Sequence, residues 1–207
     1  GEKVPEGKLP LDVGAIVLNC TTISSIARYC RTGLPLVKKC VTVDGSAVKN
    51  PMNVLVPIGT RMKDVFEATG GFKEEPKMVL YGGPMMGIAV PDLEQPILKN
   101  TNAILAFGEA EATPPEPTAC IKCGKCIAHC PLSLMPCEME TAYKKGNIER
   151  LMHLKVNLCM ECGCCSFICP AHRPLVQTNK LAKAQVMAYK NALKAKAEAE
   201  KQKEAAK

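Results

Sequence analysis

The stretch 159-CMECGCCSFICP-170 places five cysteines within eleven residues, one more than a single metal centre ordinarily takes. Its spacing is Cys159-x-x-Cys162-x-x-Cys165-x-x-x-Cys169-Pro170, and the same spacing occurs upstream as Cys120-x-x-Cys123-x-x-Cys126-x-x-x-Cys130-Pro131. Each copy fits the pattern that holds 4Fe–4S clusters in bacterial ferredoxins. Three thiolates at two-residue gaps, on a loop containing Gly124 or Gly163, can wrap three corners of a cubane. The fourth cysteine begins the next segment, points away and caps the other cluster. The proline after it has no N–H to donate and helps turn the chain outward.

This predicts a crossed pairing. The first cluster takes Cys120, Cys123, Cys126 and Cys169; the second takes Cys159, Cys162, Cys165 and Cys130. Zinc is the competing reading, but a zinc ribbon needs four cysteines, not eight in two copies of a longer pattern. Cys164 is then the surplus member, read as a non-ligand whose side chain points away from the cubane. Cys137, Cys20, Cys30 and Cys40 read as small buried apolar residues. His129 reads as a packing or surface residue, and His153 and His172 receive no function.

The chain has 207 residues, enough for one or two small domains with real cores. It opens abruptly at Gly1, which suggests a fragment or a processed product. Thirteen cysteines with eight in two regular runs point to metal binding in a reducing compartment rather than to disulfides. With no Trp, four Tyr and four Phe, a base-stacking platform is not expected, so no nucleic-acid partner is predicted. No apolar run is long enough to suggest a membrane span. Charge is uneven: residues 1–118 hold 12 Lys and Arg against 13 Asp and Glu, residues 119–207 hold 15 against 7. Lys122, Lys125 and Arg173 sit among the cysteines, where they would offset the negative charge of thiolate-ligated clusters.

Four zones precede the tail. In residues 1–35 an apolar run, Ala15 to Leu18, predicts a strand, followed by a polar turn at Asn19 and a helix through Ile23, Ile26 and Tyr29. Residues 36–108 read as an α+β module of β-grasp type. Strands are predicted at Val41–Val43, Val54–Pro57, Met78–Tyr81 and Ala103–Phe107, with one helix, Arg61–Thr69, capped by Thr60 and facing inward through Met62, Val65 and Phe66. The run 82-GGPMMG-87 lacks the Lys-Ser/Thr of a phosphate loop and predicts a tight turn. Residues 109–118, EAEATPPEPT, are a proline-rich linker. Residues 119–190 hold the cysteine runs around helices at Pro136–Lys145 and Asn147–Lys155. A further helix spans Leu175–Leu193, with a stripe of Ala182, Val186, Tyr189 and Leu193. Residues 191–207 form a polar tail, helical or disordered. No Ser/His/Asp set, paired carboxylates or GxGxxG appears, so no catalytic residue is assigned and electron transfer is the expected chemistry.

The segments 119-ACIKCGKCIAHCPLSLMP-136 and 159-CMECGCCSFICPAHRPLVQTNKLAKA-184 closely resemble the RnfC family, the C subunit of the Rnf ion-translocating ferredoxin:NAD⁺ oxidoreductase. So do GEKVPEGKLPLDVGAIVLN, VTVDGSAVKNPMNVLVPIGT and YGGPMMGIAVPDLEQPILKNTNAILA upstream. The resemblance implies that the middle module is an SLBB domain and that residues 1–35 end an FMN- and NADH-binding α/β domain. It places Asn19 and Thr22 at the turn that helps hold FMN, with most of the flavin site outside these residues. It further implies electrons passing between the complex's iron–sulfur B subunit and FMN and NAD⁺, in a peripheral protein on the cytoplasmic face of the plasma membrane. The expected whole is thus an α+β chain, a β-grasp-like SLBB module joined to a mainly α-helical ferredoxin-type domain with two 4Fe–4S clusters. A cobalamin reductase of the propanediol-utilisation type shares this plan, and a non-enzymatic two-cluster carrier is the third reading.

Overall fold

The computed structural model describes residues 2–205, with side chains described through residue 199. The chain divides into two compact units between Pro114 and Pro115, inside the proline-rich stretch where polar and conformationally restricted residues have nothing to bury.

The first unit is organised on a five-stranded mixed sheet: β1 (Lys38–Asp44), β2 (Met52–Pro57), β3 (Met78–Tyr81), β4 (Ile88–Ala89) and β5 (Ala103–Phe107), in the order β2-β1-β5-β3-β4. β1 pairs antiparallel with β2 and parallel with β5, while β3 pairs antiparallel with both β5 and β4. A first strand lying parallel beside the last, with hairpin partners outside, is the arrangement a β-grasp-like module requires. Alternation sends Val41 and Val43 of β1 into the core with Ile104 and Ala106 of β5. Met62, Val65 and Phe66 meet them from one helix face, and Phe66 packs on Phe72 with ring centroids 4.8 Å apart.

Two helices belong to this unit's ordered part, α1 (Cys20–Thr32) and α2 (Met62–Ala68), and a single turn, α3 (Glu109–Ala112), closes it. The N-cap of α2 is Arg61 and not Thr60. The Arg61 side chain makes no capping bond; its guanidinium pairs with Asp64 at 2.8 and 2.9 Å and with Glu94 at 2.9 Å. Thr60 instead uses its carbonyl to receive the Ile97 N–H at 2.7 Å. The 82–87 run is a turn joining β3 to β4, closed by Gly87 N–H on the Gly83 carbonyl at 2.7 Å.

The predicted strand at 15–18 does not form. The segment is without a ladder partner among the described residues, and Ile16 and Val17 are 78% and 75% exposed. The helix after it does form, with Asn19 accepting from Thr21 N–H at 2.9 Å, but α1 buries no residue. Its Ile23, Ile26 and Tyr29 are all exposed, so the helix has an apolar face that nothing in this unit covers.

Gly45, directly after β1, has φ +119°, and a Cβ there would overlap the Ala106 backbone of β5. Gly45→Ala is therefore expected to cost the first unit about 1–3 kcal/mol from backbone strain alone, more with the overlap. Chemical denaturation followed by circular dichroism would register this as a lower midpoint with an unchanged slope.

The second unit is helical: α4 (Lys125–Ala128), α5 (Pro136–Lys144), α6 (Ile148–His153), α7 (Cys164–Phe167) and α8 (Leu175–Ala205). The break between α5 and α6 falls at the predicted place. Gly146 takes φ 65° and Asn147 caps α6, its carboxamide accepting from Arg150 N–H at 2.8 Å. Met139 and Ala142 of α5, Leu151 of α6 and Ala182 and Val186 of α8 build the core. The α8 stripe is buried only at Ala182 and Val186; Tyr189 and Leu193 are exposed, and the helix continues through Ala205.

Candidate metal centre

The two cysteine runs repeat one backbone shape, each position recurring 39 residues later from Cys120–Cys130 to Cys159–Cys169. Left-handed residues fall at matched places: Lys122 and Glu161 (φ 55° and 59°), Gly124 and Gly163 (74° and 82°), Ser133 and His172 (52° and 48°). Such conformations cost about 1–3 kcal/mol at each non-glycine residue and persist where the surroundings impose them. At Lys122 and Gly124, and at Glu161 and Gly163, they turn the peptide between successive cysteines; Ser133 and His172 follow the last one. Each Gly then starts a single helical turn, α4 or α7, which carries the third cysteine inward and buries Cys126 and Cys165.

The consequence is two cavities with sorted cysteines. Cys120, Cys123, Cys126 and Cys169 line one of about 340 Å³. Cys130, Cys159, Cys162 and Cys165 line a second, much tighter one of about 20 Å³, room for about one water. Among the described residues no three His, Cys, Asp or Glu side chains are grouped as a single ion would need. A tetrahedral zinc at about 2.3 Å from each sulfur would draw its thiolates to about 3.8 Å from one another; a cubane, with each thiolate on a different corner, spreads them wider. Each cavity is lined by four cysteines of the two runs, as a cluster would need; the first has room for one, and the second, at about 20 Å³, does not. At the second the case rests on the donors.

Burial pushes the Cys165 thiol up to about 11, with the neighbouring Cys159 adding to the effect. A thiol so placed keeps its proton until a metal displaces it. The surplus cysteines are not where sequence reasoning put them. Cys164 lines the second cavity, where hydrogen bonding to Cys162 raises its thiol. Cys137 lines the first, its thiol pushed up to about 11 by burial and by Cys126. Cys20, Cys30 and Cys40 are exposed rather than buried, because α1 covers nothing and Cys40 faces outward on β1.

Sequence reasoning also missed the device behind the first cavity. Glu140 of α5 is 1% exposed, and Arg173 grips its carboxylate with two bonds of 2.6 and 2.7 Å. Lys144 adds a third at 2.8 Å. Burial alone would raise the Glu140 carboxyl; the Arg173 and Lys144 hydrogen bonds outweigh it and hold it below its ordinary 4.5. Arg173 also donates to the Thr118 carbonyl at 3.0 Å. One guanidinium so joins the approach to the first run, the insert helix and the segment after Cys169, which is how the distant Cys169 comes to line the first cavity. The (i, i+4) spacing of Glu140 and Lys144 was visible in the sequence; the burial was not.

The second cavity has different supports. Leu134 N–H donates to Cys130 Sγ at 3.3 Å, and Lys183 bonds the Cys159 carbonyl at 2.9 Å and Glu161 at 3.0 Å. Asn179 lines the cavity, buried, with its Oδ1 lacking a partner; that oxygen accepts, so it calls for a donor and not for a sulfur.

Asn19 and Thr22 lie together on a further cavity of about 470 Å³, within the first unit, shared with Lys39, Lys99, Asn100 and Asn102. Lys39 is nearly buried, its ammonium donating to the Lys99 carbonyl at 2.8 Å, and desolvation pushes its pKa down. The N-terminus of α1 and two lysines make this a cationic pocket.

Residues 40–89 match the SLBB domain family, which covers the sheet from β1 to β4. Over most of its length the chain is homologous to proteins named as the C subunit of ion-translocating oxidoreductase complexes. It is 43% identical over 66% of its residues to the C subunit of the proton-translocating ferredoxin:NAD⁺ oxidoreductase complex of Clostridium ljungdahlii, covering 30% of that protein. With the C subunit of the Na⁺-translocating ferredoxin:NAD⁺ oxidoreductase complex of Acetobacterium woodii it shares 38% over 92% of its length, covering 43%. With the C subunit of the ion-translocating oxidoreductase complex of Rhodobacter capsulatus it shares 37% over 90%, covering 36%. The chain therefore spans about a third to two fifths of these relatives.

Proposed function

We propose that this chain is the two-cluster electron relay of an ion-translocating ferredoxin:NAD⁺ oxidoreductase. Cys120, Cys123, Cys126 and Cys169 would hold one 4Fe–4S cluster and Cys159, Cys162, Cys165 and Cys130 the other. The observation that carries the reading is the sorting of eight cysteines into two cavities, each with three from one run and the fourth from the other. The clusters supply one-electron carriers at two points of one helical unit. The chain's own part is to hold them: left-handed turns aim the cysteines, Arg173 ties Cys169 to the first run, and the Leu134 N–H steadies Cys130.

The homologues' names support a place in such a complex; in this reading its iron–sulfur B subunit delivers electrons, and FMN and NAD⁺ lie beyond. Asn19 and Thr22 fit the phosphate end of FMN, since their cavity combines a helix N-terminus with Lys39 and Lys99; the remainder of the flavin and NADH site belongs to the longer protein. No described helix is long and apolar enough to cross a membrane, which agrees with a peripheral place in the complex, on the cytoplasmic face in this reading. Residues 1–35, 36–108, 109–118, 119–190 and 191–207 then serve as flavin-domain end, SLBB module, linker, relay and tail.

The test is iron retention. Cys164→Ala and Cys137→Ala are expected to keep about eight iron atoms per chain, as two 4Fe–4S clusters require, because both thiols are surplus to the motif. A fall to about four in either would show that the wrong cysteine had been assigned.

A further inference from the structure

The two cavities are built by one repeated backbone, so differences at matched positions are differences in what the site does. At the left-handed position between the first and second cysteines, the first run carries Lys122 and the second carries Glu161. Four residues after the last cysteine, the second run carries Arg173, which lines the first cavity, and the first run carries Leu134, which lines the second. Charged side chains lining the first cavity are Lys122, Arg173 and Glu138; the second has Glu161 alone. Ion pairs leave the contrast standing. Glu138 is answered by Arg150 at 3.7 Å and Glu140 by Arg173 and Lys144, so the first site keeps a positive excess. Glu161 is answered by Lys183, so the second is neutral. Exposure differs in the same sense: Cys120 and Cys123 are exposed, their counterparts Cys159 and Cys162 half-buried.

We infer that the chain tunes the two sites apart, with the second-run site at the lower reduction potential and the first-run site at the higher. This rests on the two-cluster reading. Adding an electron makes a cluster more negative, so nearby cations and water both favour the reduced form and raise the potential. The unpartnered atom of Asn179 is an acceptor oxygen, which offers no hydrogen bond to a cluster sulfur and does not oppose the trend. Clusters held at the two sites would exchange a single electron, with no bond or proton moved.

A redox titration of the whole chain followed by electron paramagnetic resonance tests this, with Cys165→Ser identifying which signal belongs to the second run. Two one-electron midpoints are expected, the lower on the signal that Cys165→Ser removes. Lys122→Gln should lower only the first-run midpoint and Glu161→Gln should raise only the second-run midpoint; both residues are on the surface of the loops, outside either core. Coincident midpoints, the opposite order, or midpoints unmoved by both variants would overturn the inference while leaving two clusters in place. Iron near zero in the unaltered chain would instead overturn the cluster reading beneath it.

Discussion

Replacing Cys130 with alanine is expected to remove about four of about eight iron atoms per chain, and to remove them from the site built by Cys159, Cys162 and Cys165. The residue belongs by sequence to the first run, and an uncrossed pairing would place the loss there. Its Sγ lies instead on the second cavity and receives the Leu134 N–H at 3.3 Å. Electron paramagnetic resonance separates the cases: loss of the signal that Cys165→Ser also removes supports crossing, and loss of the other signal sinks it. Cys169→Ala should give the mirror result on the first cavity.

The second large effect is structural. Glu140→Ala leaves Arg173, only 17% exposed at its side chain, without its carboxylate. Breaking a buried ion pair by removing one partner costs about 3–5 kcal/mol, and the cost should appear as a lower unfolding midpoint of the cysteine unit. Glu140→Gln keeps the shape and discriminates the charge. Because the native carboxyl is held below 4.5, its contribution is present above the unfolded value and is lost as pH falls through the folded one. The stability gap between the native chain and Glu140→Gln should therefore be widest near neutral pH and close in acid. A gap independent of pH would mean that packing, not charge, is what Glu140 supplies.

Much of this architecture was legible because its signals are local. Val41–Val43, Met78–Tyr81 and Ala103–Phe107 alternate or run apolar between turn residues, and they became strands β1, β3 and β5 with at most a few residues added. β4 was invisible, since two residues carry no period and form a strand only because β3 presents a free edge. The run Ala15–Leu18 misled in the opposite direction. An apolar run reports a wish to be buried, and a strand needs a neighbour that this segment lacks among the described residues. The same missing partner leaves Cys20 and Cys30 on the surface of α1.

At the candidate site, spacing alone singled out the eight cysteines that line the two cavities, three from one run and one from the other. It could not reveal Glu140, which sits on a helix among other charged residues and is buried only because Arg173 folds back onto it from 33 positions away. Nor could it reveal Asn179, whose orphaned oxygen faces a cavity only when α8 is docked. Long-range polar pairing leaves no period in a sequence.

Iron and acid-labile sulfide measured per chain in the anaerobically prepared protein, with its spectrum after full reduction, test the central claim most directly. Two 4Fe–4S clusters require about eight of each and two interacting paramagnets in the reduced chain. About four of each, or zinc in place of iron, would contradict it.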